Sequence, residues 1–323
     1  MNVLILGSTG VLGSTLELFL KDKKLKLSFI SRKKNLKHHK YLNNFSNYKK
    51  LKKIISEIKP KIIINCIGIT KFHKDYDDIE ATKLINTKLP IILSKYCLKN
   101  KIYFLHISTD CVFLGNKGNY LDISKKDAKD LYGLTKNNGE VKNEFSSTIR
   151  TSFIGPEKNS NKSLFNWFLN EKHQVNGYSR AFFSGLTSVE LSKIIYKYFI
   201  MKNDFYNHII NIGGKKISKY HLLKKIKIIF NKEIKIKNYS NFKIDRSLNS
   251  SRFRKLSKYK LPKWDYLINE LKLFMKKNNY NFYFLSYFDL LNDGKPIIDA
   301  IKPSILKYIY LLFFESIIPF INN

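Results

Sequence analysis

The chain has 323 residues, of which 59 are Lys or Arg and 25 are Asp or Glu, giving a formal charge of +34. That length can bury a large core as one domain with a substantial insert or as two domains, and the absence of a fixed-period repeat excludes a solenoid. The basic excess is mostly lysine, spread along the whole chain among abundant Ile, Asn, Tyr and Phe as in proteins of AT-rich genomes; it lacks the clustered arginines of a phosphate-gripping surface, so nucleic acid is not an expected partner.

The apolar run at residues 3–6 predicts a buried parallel strand. Gly7-Ser8-Thr9-Gly10-Val11-Leu12-Gly13 follows at once, and Val11, Leu12, Leu16 and Leu20 then repeat with helical period over 11–20. In such a turn the first glycine permits a tight bend, the second lets a pyrophosphate reach the backbone, and the third lets helix pack on strand. The free N–H groups and the dipole of the helix N-terminus favour the anion. The spacing here, Gly-x-x-Gly-x-x-Gly, is one residue off the usual G-x-G-x-x-G. A second strand over 25–30 ends at Ser31-Arg32-Lys33. An acid there would bind the ribose diol of NAD, whereas a base suits a 2′-phosphate. The expected cofactor is therefore NADP(H), with NAD(H) second. His38 and His39 stand among lysines and read as a solvated loop.

Residues 48–58 form a predicted helix with a lysine-rich outer face, stopped by Pro60 before a strand at 62–65. A helix with its tail over 80–100 and a strand over 102–107 lead to Ser108-Thr109-Asp110. The next helix, expected over 132–145, carries Tyr132 and Lys136, which at positions i and i+4 share one face. An ammonium beside a phenol pulls the tyrosine down from its reference pKa of about 10, toward useful acid–base chemistry near neutrality. A strand at 148–152 follows, and after Gly155-Pro156 the pattern loosens. A helix over 187–199 and a strand over 208–212, ending at Gly213-Gly214, return to the nucleotide domain. Cys66, Cys97 and Cys111 are odd in number and sit in apolar stretches. They read as buried free thiols of a reducing cytosol, and no metal-ligand spacing is present. The first strand begins at residue 2, which leaves no room for a signal peptide. The expected compartment is the cytoplasm.

Gly7, Gly10 and Gly13, Asn65-Cys66-Ile67-Gly68, Asn86, Ser108-Thr109-Asp110 and Tyr132-x-x-x-Lys136 stand in the order and spacing of the extended short-chain dehydrogenase/reductases. Ser-Thr-Asp-Cys-Val-Phe at 108–113 with Asp-Leu-Tyr-Gly-Leu-Thr-Lys at 130–136 resembles the dTDP-4-dehydrorhamnose reductase branch, and the likeness runs through about residue 260. The resemblance implies a doubly wound α/β fold of Rossmann type over 1–153, with 185–213 returning to it. A smaller, discontinuous substrate lobe would take 154–184 and 214–280. It implies hydride transfer from reduced nicotinamide to the 4-keto group of a nucleotide-linked 6-deoxy sugar, in cell-surface polysaccharide precursor synthesis. Tyr132 would protonate the oxygen, Lys136 would lower the tyrosine pKa and hold the nicotinamide ribose, and Thr109 would bond the substrate oxygen. Gly7 to Gly13, Ser31, Arg32, Cys66, Ile67, Gly68 and Asn86 would line the cofactor. Dehydratases of this group carry a second acid after that Asp; Cys111 follows Asp110 here, which disfavours elimination. An epimerase of the same fold, or a non-catalytic regulatory subunit such as the methionine adenosyltransferase beta subunit, are the alternatives.

For the substrate, Asp110 joins Thr109, and Trp167 beside Phe168 suits stacking on a sugar or base as well as it suits an apolar helix stripe. Arg246 and Arg252 flank a Ser/Asn-rich stretch fit to hold a diphosphate. The extension at 281–323 is apolar and aromatic. Its block at 308–321 would make a helix of roughly 21 Å against a hydrocarbon core of about 30 Å. It is too short to span. Docking on the body or on a second copy in a homodimer is expected first, and peripheral contact at the inner membrane surface second.

Overall fold

A computed structural model describes residues 1–32, 39–73, 75–157, 163–202 and 206–280. The expectations for Lys33, His38 and the extension 281–323 lie outside the described residues.

The first half alternates strand and helix. Strands β1 (Asn2–Leu6), β2 (Lys26–Ser31), β3 (His39–Tyr41), β4 (Ile62–Asn65), β5 (Tyr103–Thr109) and β6 (Ser146–Thr151) interleave with helices α1 (Val11–Leu20), α2 (Tyr48–Ile58), α3 (Ile79–Lys83), α4 (Leu89–Lys99) and α5 (Leu131–Asn138). Val3 to Leu6 and Ile62 to Ile64 are fully buried, as parallel strands are when helices cover both faces. That burial is why their sequences run continuously apolar instead of alternating.

The second half is made of short pieces: β7 (Phe153–Ile154), α6 (Leu164–Asn170), β8 (Gln174–Tyr178), β9 (Ala181–Phe183), β10 (Leu186–Thr187), α7 (Ser188–Ile194) and β11 (Ile209–Asn211). They are followed by β12 (Ile217–Ser218), α8 (Lys219–Ile229), β13 (Lys235–Tyr239), β14 (Ile244–Asp245), α9 (Ser251–Ser257) and α10 (Trp264–Lys277). β11 leaves this group and pairs in parallel with β6. The main sheet therefore has seven strands in the order β11-β6-β5-β4-β1-β2-β3, all parallel. This is a doubly wound Rossmann sheet. The order reverses between β1 and β4, and the crevice beyond the carboxyl ends of those two strands is where such sheets take ligands.

Three local departures from the sequence reading have physical causes. The predicted helix over 80–100 contains a π-helical turn at Leu84–Lys88 between α3 and α4, and Asn86 on that turn is completely buried. The helix carrying Tyr132 ends at Asn138, not at 145. Gly139 closes it where a side chain could not fit, since a Cβ would lie 2.0 Å from the carbonyl oxygen of Asn86. His39 is not a solvated loop residue: it stands in β3, stacked on Phe29 at 4.8 Å between centroids, and its side chain is only 6% exposed beside Glu17. No described helix is long and apolar enough to cross a membrane.

Candidate active site

The crevice at β1 and β4 is floored by backbone. Gly7 has φ +81°, and a Cβ there would sit 3.0 Å from both Cys66 C and Ile67 N. A Cβ on Gly13 would meet the Gly7 carbonyl oxygen at 2.1 Å, so this glycine sets how closely α1 approaches the turn. Gly10 meets nothing nearer than 3.6 Å. It caps α1 without a side-chain bond, and no acid stands in the first turn. Thr9 and Gly10 are exposed, Ser8 and Leu12 are buried and Val11 lies between. This cradle fits a dinucleotide pyrophosphate: a bend only glycine allows, a helix start without a competing acid, and an approach open at Gly10.

Ser31 ends β2, buried, and its carbonyl accepts the Leu42 N–H at 2.9 Å. Arg32 lies half-exposed, 3.6 Å from the Asp75 carboxylate and 3.4 Å from His73 Nε2. Asn86 clamps the loop after β4: its amide donates to Ile69 O and accepts from Ile69 N–H, both at 2.9 Å, and donates to Thr135 Oγ1 at 3.2 Å. That clamp ties β4 to α5 across the crevice. A Cβ on Gly68 would stand 3.5 Å from Asn86 Oδ1 and 3.9 Å from Lys136 Nζ.

Thr109 closes β5, its hydroxyl accepting the Cys111 N–H at 3.1 Å and donating to Asp110 at 3.3 Å. Asp130 caps α5 through the Gly133 N–H at 3.0 Å, which places Tyr132 in the first turn, close to Thr109. Burial pushes the Tyr132 phenol well above its ordinary pKa, and the neighbouring Cys111, Asp110 and Asp130 add to this while Thr109 opposes it. The expectation that Lys136 pulls the phenol down does not hold in this geometry. The lysine points the other way, donating to Ile107 O at 2.7 Å with its Nζ 3.3 Å from His106 Nε2. Burial lowers Lys136 to about 8, against the opposing pull of Glu140 and Cys66. Burial also pushes the Cys66 thiol up to about 12.

Beside Thr109, Asp110 is buried and its pKa is raised by that burial, while Lys219 and Arg246 act to lower it. Arg246 donates from Nε to Phe113 O at 2.8 Å and from a terminal nitrogen to Cys111 Sγ at 3.5 Å, beside the loop that follows Thr109. Arg252 does not join it: its partners are Asp122 at 3.4 Å and His208 at 3.3 Å. Trp167 is half-buried on α6, next to fully buried Phe168. No described hydrogen bond or ring contact links it to Thr109, Tyr132 or Arg246.

Sequence reasoning passed over several residues at this centre. Glu140 accepts both Arg150 Nε at 2.7 Å and Arg150 Nη2 at 2.8 Å, and also takes bonds from Ser108 at 3.0 Å and Lys126 at 3.2 Å. Both partners of that bidentate pair are nearly inaccessible, at 1% and 3% exposure. Asn65 and His106 stand buried behind Lys136, and Lys219 opens α8 opposite Asp110. Glu140 lies in the stretch expected as the helix over 132–145 and Arg150 in the strand expected at 148–152, and a charge on a strand of the buried sheet was the available signal.

The sequence profile of the RmlD substrate binding domain matches residues 1–174, more than half the chain. The chain belongs to this family. Among curated relatives of the family, the dTDP-4-dehydrorhamnose reductase of Escherichia coli K12 is 28% identical over 166 residues, 50% of this chain and 54% of that protein. The chain thus spans about half the length of the curated relatives it matches. A solved structure described as a hypothetical dTDP-4-dehydrorhamnose reductase from Sulfolobus tokodaii superposes with TM-score 0.69 and 26% identity, covering 79% of this chain and 94% of that one. The fold is likewise that of the dTDP-4-dehydrorhamnose reductase of Bacillus anthracis, solved in complex with NADP, with TM-score 0.71, 20% identity and 84% and 98% coverage.

Proposed function

We propose that this member of the RmlD substrate binding domain family is an NAD(P)H-dependent reductase of the 4-keto group of a nucleotide-linked 6-deoxy sugar. The observation that carries the reading is that Thr109 and Tyr132 meet at the carboxyl end of β5, with Lys136 one turn along α5 and the glycine cradle two strands away. Reduced nicotinamide supplies the hydride.

The protein's own residues do the rest. Burial keeps the Tyr132 phenol protonated, so a proton is in place for the substrate oxygen to take as that oxygen gains charge. Thr109 bonds the same oxygen and holds it within reach of the phenol. Lys136, on swinging from the Ile107 carbonyl to the cofactor ribose, balances the phenolate left on Tyr132. Asp110, followed by Cys111 and not by a second acid, leaves elimination without its base, which favours reduction over dehydration. The turn from Gly7 to Gly13, with Ser31, Arg32, Cys66, Ile67, Gly68 and Asn86, holds the dinucleotide, and Arg32 favours the 2′-phosphate of NADPH. Asp110 and Arg246 contact the sugar nucleotide. Trp167 and Arg252 are assigned to the same lobe, residues 154–184 with 214–280.

The nucleotide sugar is the expected partner, and the role is in the supply of cell-surface polysaccharide precursors in the cytoplasm. The extension 281–323, by its aromatic composition, is assigned to contact with a second copy or the inner membrane surface. The test is absorbance loss on mixing the protein with NADPH and a panel of 4-keto sugar nucleotides, run beside NADH. Oxidation of NADPH dependent on one of these sugars supports the reading; none with any of them overturns it. Arg32→Asp is expected to turn the preference toward NADH by about tenfold, the worth of one charge-assisted bond, read from the ratio of the two dissociation constants.

A further inference from the structure

Behind Lys136 lies a chain of buried polar groups with no part in holding substrate. Asn65 Oδ1 accepts the Ile67 N–H at 3.1 Å. This fixes the amide so that its nitrogen faces His106 Nδ1, also at 3.1 Å. An amide nitrogen only donates, so Nδ1 must present its lone pair. His106 is fully buried, and that burial holds its pKa well below the ordinary histidine value, so the ring is neutral. Its one proton therefore sits on Nε2, directed at Lys136 Nζ, 3.3 Å away.

An ammonium at that place would set donor against donor. A neutral amine has a lone pair for the Nε2–H and still donates to the Ile107 carbonyl at 2.7 Å. Only then does a donor meet an acceptor at every link, from Asn65 through His106 and Lys136 to Ile107.

We propose that Asn65 and His106 are positioning residues that hold Lys136 against β5 in an arrangement that favours its neutral amine over the ammonium, so that the lysine recovers its full hold on the proton only on leaving this pocket for the cofactor ribose and Tyr132. The consequence for turnover rests on the reductase reading; the parked state itself does not. The other ionisable groups facing Lys136 are Glu140, beyond the end of α5, and Cys66, after β4, and both act to raise its pKa. The arrangement of Asn65 and His106 opposes them. A charge stored in the open position would be available at once, whereas a parked amine couples proton uptake to ligand arrival.

The full-length protein, labelled with ¹³Cε lysine, gives the Lys136 titration by NMR, the resonance being assigned from its loss in Lys136→Met. A long-range ¹H–¹⁵N spectrum gives the His106 tautomer. The expected results are a proton on Nε2 and a Lys136 midpoint near 8. Asn65→Asp keeps the shape but replaces the donor with an acceptor. The imidazole proton then moves to Nδ1, Nε2 becomes an acceptor for an ammonium, and the midpoint should rise by at least about one pH unit, a tenfold change in the proton equilibrium. His106→Phe keeps a ring, removes the donor, and should move the midpoint the same way, which covers the case in which Asn65→Asp does not fold. A proton on Nδ1 in the unaltered protein, or a midpoint unmoved in the variant that folds, overturns the proposal. Neither spectrum needs turnover, so a protein inactive on every keto sugar could still show the parked lysine, and the two readings fail separately.

Discussion

The two halves of this chain solve different problems with different materials. Up to β6 the molecule is one parallel sheet whose ligand crevice is shaped by backbone, at Gly7, Gly13 and the loop after β4. From β7 onward, apart from β11, it consists of sheets of two and three strands, β10-β7, β12-β9-β14 and β13-β8, and what faces the cleft is side chains such as Lys219 and Arg246. A dinucleotide is the same in every enzyme that uses it, so a fixed backbone cradle serves. A substrate differs from enzyme to enzyme, and side chains on short strands can be exchanged without disturbing a core. The difference teaches that cofactor and substrate recognition should be separable by mutation.

The sharpest test is Tyr132→Phe, which removes the proton donor and keeps the ring. Turnover should fall by about 10²–10⁴-fold, the usual worth of general acid–base catalysis, with dinucleotide affinity nearly unchanged. Single-turnover hydride transfer and a separate binding titration distinguish the two, and a wild-type rate would remove the acid from its role.

Next in size is Glu140→Ala. It leaves the buried Arg150 guanidinium with a single carbonyl, Asp122 O at 2.8 Å, and should cost about 3–5 kcal/mol of stability, read from the denaturant midpoint at unchanged slope. Gly13→Ala presses a methyl onto the Gly7 carbonyl. About 1–3 kcal/mol should be lost through overpacking, and dinucleotide binding should fall while a substrate analogue still binds. If both ligands are lost equally from a folded Gly13→Ala protein, the two halves are not separable.

Of similar size to the last, and complementary to it, is Arg246→Leu in the second half. Losing a charge-assisted bond worth about 1.5–3 kcal/mol should raise KM for the sugar nucleotide by about 10–100-fold. The NADPH dissociation constant should stay where it is. A change in that constant equal to the change in KM would place Arg246 with the cofactor.

How much could be read from the sequence follows the same division. The glycine turn, the strand at Val3 to Leu6 and the i, i+4 pairing of Tyr132 with Lys136 are local patterns, and local patterns were legible. The end of α5 was missed because it depends on Gly139 meeting Asn86, residues joined only by the fold. His106 was missed for a related reason: it stands in an apolar strand, and its partners Asn65 and Lys136 lie 41 and 30 residues away. His39 looked solvated by its lysine neighbours, but strand pairing with β2 seats it on Phe29. The direction in which Lys136 points is set by burial and by a backbone carbonyl, neither of which spacing reveals.

The placement of β11 reaches beyond the site to how the chain is made. β6 pairs on its far side with a strand that leaves the ribosome only after α6, α7 and four short strands have been synthesised. Until then β6 carries a row of unpaired N–H and C=O groups along an apolar sheet, a template on which another nascent chain can pair. A fragment ending at residue 174, where the family match stops, keeps that edge bare permanently. Such a fragment would hold every glycine of the cradle and still tend to aggregate, because the last piece of the nucleotide fold is encoded beyond it.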